Sequence, residues 1–201
     1  MNASEWWTNV ITSTFKSLTP ETLPKGMVLE LLQLFSSSDG YVLYPDVPAF
    51  FEAIRIHKER TSHSADLLLG ILTNSDDRVV SILESFGLQV NPWRYGTKKV
   101  GIAHANPKIC DDIDFVALSY DVGFEKPHRR IFDATREMAE SRFEVSHCIH
   151  VGDDLEKDYQ GAEAAGWKGF LLDREDIHAS ECIERLRSLT QVLPYLDVSS
   201  R

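Results

Sequence analysis

Cysteine is scarce in this sequence. Cys110, Cys148 and Cys182 are the only ones in 201 residues. They are too few and too scattered for a disulfide framework or a zinc site, so a reducing compartment and a cytoplasmic location are expected. Long apolar runs are also missing: none approaches the roughly 20 residues of a membrane span. Met1-Asn2-Ala3-Ser4-Glu5 resembles neither a secretory signal nor an arginine-rich transit peptide. Basic charge is short as well, 21 Lys and Arg against 31 Asp and Glu, for a net charge of -10. That balance argues against nucleic acid or an anionic membrane as the main partner. What is present is 43% hydrophobic content, enough to bury one sizeable core with a small appendage.

The N-terminal part reads as a helical hairpin. Ser4 is a plausible N-cap, and Trp6, Trp7, Val10, Ile11, Phe15 and Leu18 follow at helical spacing. Met27, Val28, Leu31, Leu32 and Phe35 mark a second helix, ended by Ser36-Ser37-Ser38-Asp39-Gly40. Trp6 and Trp7 are expected in the core, with a substrate pocket as the other place for such a pair. Asp46 then opens a helix with Val47, Phe50, Phe51 and Ile54 inward.

Beyond it, strands and helices alternate. Leu67 to Leu72 is apolar on both faces, the pattern of a buried parallel strand, and stops at Thr73-Asn74-Ser75-Asp76-Asp77. A helix with Val79, Val80, Leu83 and Phe86 follows to Gly87. Gln89 to Asp114, with Arg94, Lys98 and Lys99, has no clean period and is expected as a solvated loop or insertion. Phe115 to Leu118 is the next strand, Tyr120 to Pro127 a loop, and Pro127 opens a helix through Ile131, Phe132, Thr135 and Met138. Gly169 to Leu172 is a last strand, followed by helical pieces from about Ser180 to Leu196. The alternation predicts an α/β fold with a doubly wound parallel sheet.

One stretch carries most of the chemistry, Cys148-Ile149-His150-Val151-Gly152-Asp153-Asp154-Leu155-Glu156-Lys157-Asp158 and on to Gly161-Ala162. An apolar run breaks at a glycine into carboxylates, and Gly161, Ala162, Ala164 and Ala165 then let a helix pack closely. Carboxylates at the C-terminal end of a parallel strand lie where open α/β sheets bind ligands, and hard oxygen ligands suit Mg²⁺. Asp153 would be the first ligand, supported by Asp158 one turn on. The same turn is equally an acidic N-cap, with Asp153 or Asp154 satisfying free amides of the next helix.

Thr73-Asn74, Lys126 and the Asp153/Asp158 pair all lie just past strand ends, which face one rim in a parallel sheet. A hydroxyl and amide, an ammonium and a carboxylate-bound Mg²⁺ could together cradle a phosphate and neutralise its charge. Ile71-Leu72-Thr73-Asn74, then Gly123-Phe124-Glu125-Lys126-Pro127-His128-Arg129-Arg130-Ile131-Phe132, then His150-Val151-Gly152-Asp153-Asp154 with Asp158, resemble the second, third and fourth motifs of the haloacid dehalogenase-like hydrolases. The resemblance covers about Tyr44 to Asp173. The Trp6-Trp7 helix and the Asp39-Gly40-Tyr41 return resemble the end of a helical cap in a eukaryotic subgroup of that family. This implies a partial cap over residues 1–43 and an α/β core over 44–201.

Most characterised members are Mg²⁺-dependent phosphatases acting on small phosphorylated metabolites, so phosphoric monoester hydrolysis is the implied activity. Carried over, Thr73 and Asn74 would contact the transferring phosphoryl group, and Lys126 would hold nucleophile and phosphate. Asp153 would bind Mg²⁺, and Asp158 would support Lys126 or a metal-bound water. The family's first motif, whose first aspartate is the covalent nucleophile, is not among these residues. Asp112-Ile113-Asp114 has its spacing but precedes a strand, Asp39 follows a helix and polar residues, and Asp46 sits at a helix start leading away from the sheet. For a complete chain this implies weak or absent Mg²⁺ binding, Asp153 and Lys126 relaxed into a direct ion pair, and two unpaired sheet edges open to self-association. A noncatalytic phosphate-binding or protein-interaction module on the same fold is the alternative. His150 is expected simply to pack beside its strand.

Overall fold

Helix α1 (Ala3–Leu18) begins at a reciprocal cap: the Asn2 side chain accepts from the Glu5 amide at 2.8 Å, and the Glu5 carboxylate accepts from the Asn2 amide at 3.1 Å. Asn2 rather than Ser4 is therefore the cap, because it stands three residues before a glutamate that can reach back. The computed structural model describes residues 2–18, 23–60, 67–96, 112–180 and 182–196. Helix α2 (Met27–Leu34) packs against α1 to form the expected hairpin. Its burial differs from expectation: Ala3 is the one buried residue of α1, α2 has none, and Trp6 is 47% exposed. The aromatic face is thus only half covered among the described residues: Trp7, Val10, Ile11 and Phe15 are half-buried while Trp6 stays exposed.

The core lies in the α/β part. Helix α3 (Asp46–Arg60) buries Phe50, Phe51 and Ile54 as its spacing predicts. Strands β1 (Gly70–Thr73), β2 (Phe115–Leu118), β3 (Ile149–Gly152), β4 (Lys168–Leu172) and β5 (Arg185–Leu186) alternate with α4 (Arg78–Ser85), α5 (Ser119–Val122), α6 (Arg129–Glu140), a π-helical turn (Leu155–Gln160) and α7 (Gly161–Ala164). A 3₁₀ turn (Leu189–Val192) and α8 (Leu193–Leu196) close the described chain. Every strand pairing is parallel. Successive side chains of a strand point to opposite faces, and the packing follows that rule. Ile71, Val116, Leu118, Ile149, Val151 and Phe170 meet α3 and α4 on one side. Leu72 meets Ile131, Phe132, Ala162 and Ala165 on the other, the second wound layer.

The sheet is in two pieces among the described residues, β1-β2 and β3-β4-β5. The facing edges follow from the hydrogen bonds. The Asp114 amide donates to the Leu69 carbonyl at 2.7 Å, so the Leu72 carbonyl, three residues on, points away from β2. Likewise the Lys168 amide donates to the Cys148 carbonyl at 2.9 Å, so Ile149 and Val151 turn their main-chain groups away from β4. Among the described residues β1 and β3 are not hydrogen-bonded to each other. Residues of β1 remain half-buried rather than fully buried, since β2 covers one edge alone.

Four local expectations change. Val90 and Arg94 bridge Ile113 and Val116, and the Arg94 guanidinium clasps the Asp121 carboxylate, so this start of the 89–114 segment lines β2 instead of lying in solvent. Lys98 and Lys99 lie outside the described residues. Tyr120–Val122 belongs to the short helix α5, and α6 starts at Arg129 behind His128, whose Nδ1 accepts from the Arg130 amide at 3.2 Å. Past Ser180 there is a strand as well as helix: Leu186 is buried beside β4 while Arg185 is held by Asp173 and Asp176. No described helix is long and apolar enough to cross a membrane.

Candidate functional site

Strand β1 ends at Thr73 and β3 at Gly152, and Lys126 bridges the space between them. Its ammonium donates to the Leu72 carbonyl at 3.1 Å and to Asp158 Oδ1 at 2.5 Å. The first bond uses a carbonyl that β1 offers to no other strand. The main chain of Lys126 is clasped in turn by Asn74, whose Nδ2 donates to the Lys126 carbonyl at 2.9 Å while its Oδ1 accepts from the Lys126 amide at 2.7 Å. Residues 52 apart in sequence are thereby locked together at the rim. Both ends of the Asn74 amide are spent on this clasp.

Asp158 is held from three directions. Oδ1 takes the Lys126 ammonium and also lies 2.9 Å from His150 Nε2; Oδ2 accepts from the Asp154 amide at 3.0 Å. It reaches this position because Gly152 has no side chain: a Cβ there would stand 2.2 Å from the Asp158 carboxyl carbon. His150 and Gly152, two apart on a strand, share the face over which Asp158 lies. Burial alone would raise the Asp158 carboxyl, but its hydrogen bonds with His150 and Lys126 outweigh it and hold the group far below the ordinary carboxylate range. Burial pushes the His150 imidazole below its ordinary value, against the pull of Asp158.

The neighbouring acids differ in their surroundings. Asp154 is the cap, its Oδ1 accepting from the amides of Glu156 at 3.1 Å and Lys157 at 2.9 Å. Asp153 stays exposed at the rim, and the ion pair expected between it and Lys126 is made by Asp158 instead, whose carboxylate Gly152 lets close on the ammonium. No three metal-ligating side chains are grouped among the described residues, so a divalent ion here would rest on Asp153 with water and ligand oxygens. Thr73, Asn74, Lys126 and Asp158 thus converge, with Asp153 just past Gly152. The other aspartates stand apart: Asp112 pairs with Arg55 and Asp114 with Lys58 at the opposite rim, and Asp46 accepts from Arg174 and the Leu189 amide.

Two contributors were not foreseen. His150 was expected only to pack; it does so, edge-on to Phe132 with ring centroids 5.5 Å apart, but it also reaches Asp158. The available signal was a single imidazole between Ile149 and Val151 on the glycine's face. The other is Trp7. Its Nε1 donates to Asp76 Oδ2 at 2.8 Å, and Arg78, paired with both Asp76 oxygens, stacks 4.5 Å from the indole centroid. This ties the hairpin to the loop that follows Thr73.

Comparison with known proteins adds the wider context. The model of the haloacid dehalogenase-like hydrolase family matches residues 2–166. An uncharacterized protein of Saccharomyces cerevisiae is 32% identical over 183 residues, covering 86% of this chain and 51% of that protein. The chain thus spans about half the length of that relative. The crystal structure of a HAD phosphatase from Thermococcus onnurineus superposes with a TM-score of 0.59 at 21% identity, covering 92% of this chain and 70% of that one. The magnesium-bound HAD-hydrolase YfnB from Bacillus subtilis gives 0.58 at 19% identity, covering 98% and 73%. These two likenesses are of fold.

Proposed function

Because the chain belongs to the haloacid dehalogenase-like hydrolases, we propose that its rim binds the phosphoryl group of a small phosphorylated metabolite and serves phosphoric monoester hydrolysis. One observation carries the reading: the Lys126 side chain is 11% exposed, and its ammonium is fixed between the ends of β1 and β3 by Leu72 and Asp158. A cation placed between strand termini and screened from water attracts phosphoryl oxygens more strongly than a surface lysine does. Thr73 adds a hydroxyl at the end of β1. Asn74 acts on Lys126, keeping its main chain in register with β1, rather than on the phosphate itself.

Asp153 is the residue that would hold Mg²⁺, which takes one or two carboxylates and completes its shell with water and phosphate oxygens. Such an ion would neutralise charge on the phosphoryl group. Asp158 is committed to Lys126, His150 and Asp154, so its part is to hold the lysine. Hydrolysis through a covalent intermediate also calls for a carboxylate facing Lys126, and among the described residues no further aspartate stands there. That observation favours a second reading, phosphate binding without turnover by these residues alone.

Inorganic phosphate binding followed by ³¹P NMR, and p-nitrophenyl phosphate hydrolysis with and without Mg²⁺, test both. Lys126→Met should weaken phosphate binding by roughly tenfold or more, the scale of a lost charge-assisted hydrogen bond. Turnover that requires Mg²⁺ and falls in Asp153→Asn supports the hydrolase reading; binding without turnover supports the second. A protein that does neither, or a Lys126→Met variant that binds phosphate as well as the parent, overturns both.

A further inference from the structure

We propose that His150 is a positioning residue for Lys126, acting through Asp158 by donating from Nε2 to Oδ1. Asp158 Oδ1 has two partners, the ammonium at 2.5 Å and the imidazole at 2.9 Å. The Asp154 amide fixes the other oxygen at 3.0 Å. An ionised carboxylate only accepts, so His150 must present a proton at Nε2. Two donors from different directions on one oxygen, with the third on its twin, leave the carboxylate no free rotation about its last bond. Remove the imidazole and each oxygen keeps a single partner, Oδ1 the flexible lysine and Oδ2 the Asp154 amide, so the carboxylate can swing and shift the ammonium with it.

The ring itself is well placed for this work. It is 8% exposed, set edge-on at 89° to Phe132, and it shares the face of β3 with Gly152, against which the carboxylate rests. The strand, a rigid element, thus supplies the reference point, and the chain of contacts runs from His150 through Asp158 to the ammonium at the rim. An apolar residue would satisfy the packing against Phe132 equally well. It would leave Asp158 short of a donor inside the protein, which a burial role alone does not require.

The functional weight of this arrangement rests on the reading of Lys126 as the phosphoryl-binding cation, but the positioning itself is tested without it. In the isotopically labelled full chain, long-range ¹H–¹⁵N correlation of the His150 ring should place a proton on Nε2. A proton on Nδ1 alone makes Nε2 an acceptor and overturns the proposal. The acylation rate of Lys126 by acetic anhydride, read by mass spectrometry, should change roughly tenfold in His150→Leu and stay within about twofold of the parent in His150→Gln, whose amide can still donate. A folded His150→Leu protein with unchanged Lys126 reactivity overturns the proposal; if that variant does not fold, the ring proton on the parent protein decides. Absence of inorganic phosphate binding by the parent protein would defeat the phosphoryl reading and leave the Lys126 measurements still decisive for His150.

Discussion

The rim around Asp158 and the α1–α2 hairpin are built on opposite principles. At the rim a few polar side chains hold one another, Lys126, Asn74, His150 and Asp158, with Asp158 4% exposed and His150 8% exposed. In the hairpin, apolar residues such as Leu29 and Phe35 remain 59% and 44% exposed, and the described tie to the sheet's rim is Trp7 on Asp76. Buried polar groups lose heavily when a partner is removed, whereas exposed apolar ones lose little. Stability and site geometry should therefore be concentrated in the rim, and the hairpin should be free to move or change without unfolding the core.

Asp158→Ala should separate the two regions most. It leaves the Lys126 ammonium and the His150 ring without their carboxylate, a loss on the order of 3–5 kcal/mol for breaking a buried pair. In a chain of this size each kcal/mol moves the melting temperature by roughly 2–4 °C, so calorimetry should record a drop of about 6–20 °C. A drop of under 3 °C would mean that water already satisfies the lysine. Gly152→Ala comes next, because its added Cβ would sit 2.2 Å from the Asp158 carboxyl carbon and the acid must give way. A cost of about 1–3 kcal/mol is expected from the forced shift. Lys126 acylation should rise with it; unchanged reactivity would show that Asp158 can withdraw without releasing Lys126.

Trp7→Phe removes one hydrogen bond from the tie and should cost about 1 kcal/mol. Amide exchange should quicken in α1 and remain unchanged in β3, and equal acceleration in both would show that hairpin and core open together. Acid should do the same work. Burial raises the Asp76 carboxyl, but the bonds from Arg78 and Trp7 outweigh it and keep it below its ordinary value. A carboxylate lowered on folding stabilises fully above the unfolded value near 3.9 and loses that contribution as pH falls through its folded value. Exchange in α1 should therefore quicken below about pH 4, and Trp7→Phe should flatten part of that dependence.

Legibility in the sequence followed the same division. The strand and helix alternation, the parallel sheet and the convergence of Thr73, Lys126 and the Asp153 turn could be read, because each depends on short-range pattern and on strands ending at one rim. The partners could not. Whether Asp158 faces Lys126 or a metal depends on a contact spanning 32 residues, and His150 joins it only because Gly152 leaves the room. Trp7 looked like core because apolar spacing reports which face of a helix is greasy, not whether anything lies against it. β5 was missed because two residues paired at a sheet edge carry no period at all.

The smallest expected effect belongs to the exposed face of α2. Leu29 is 59% exposed, so Leu29→Gln trades a side chain already mostly in water and should change stability by no more than about 0.5 kcal/mol. A denaturant midpoint within error of the parent is the expected result. A loss above about 1 kcal/mol has one physical source, removal of a buried contact, since glutamine is itself a good helix former. In that case α2 is covered in solution, and repeating the titration over a range of protein concentrations would separate a second copy of the chain, whose effect grows with concentration, from a contact within one chain, whose effect does not.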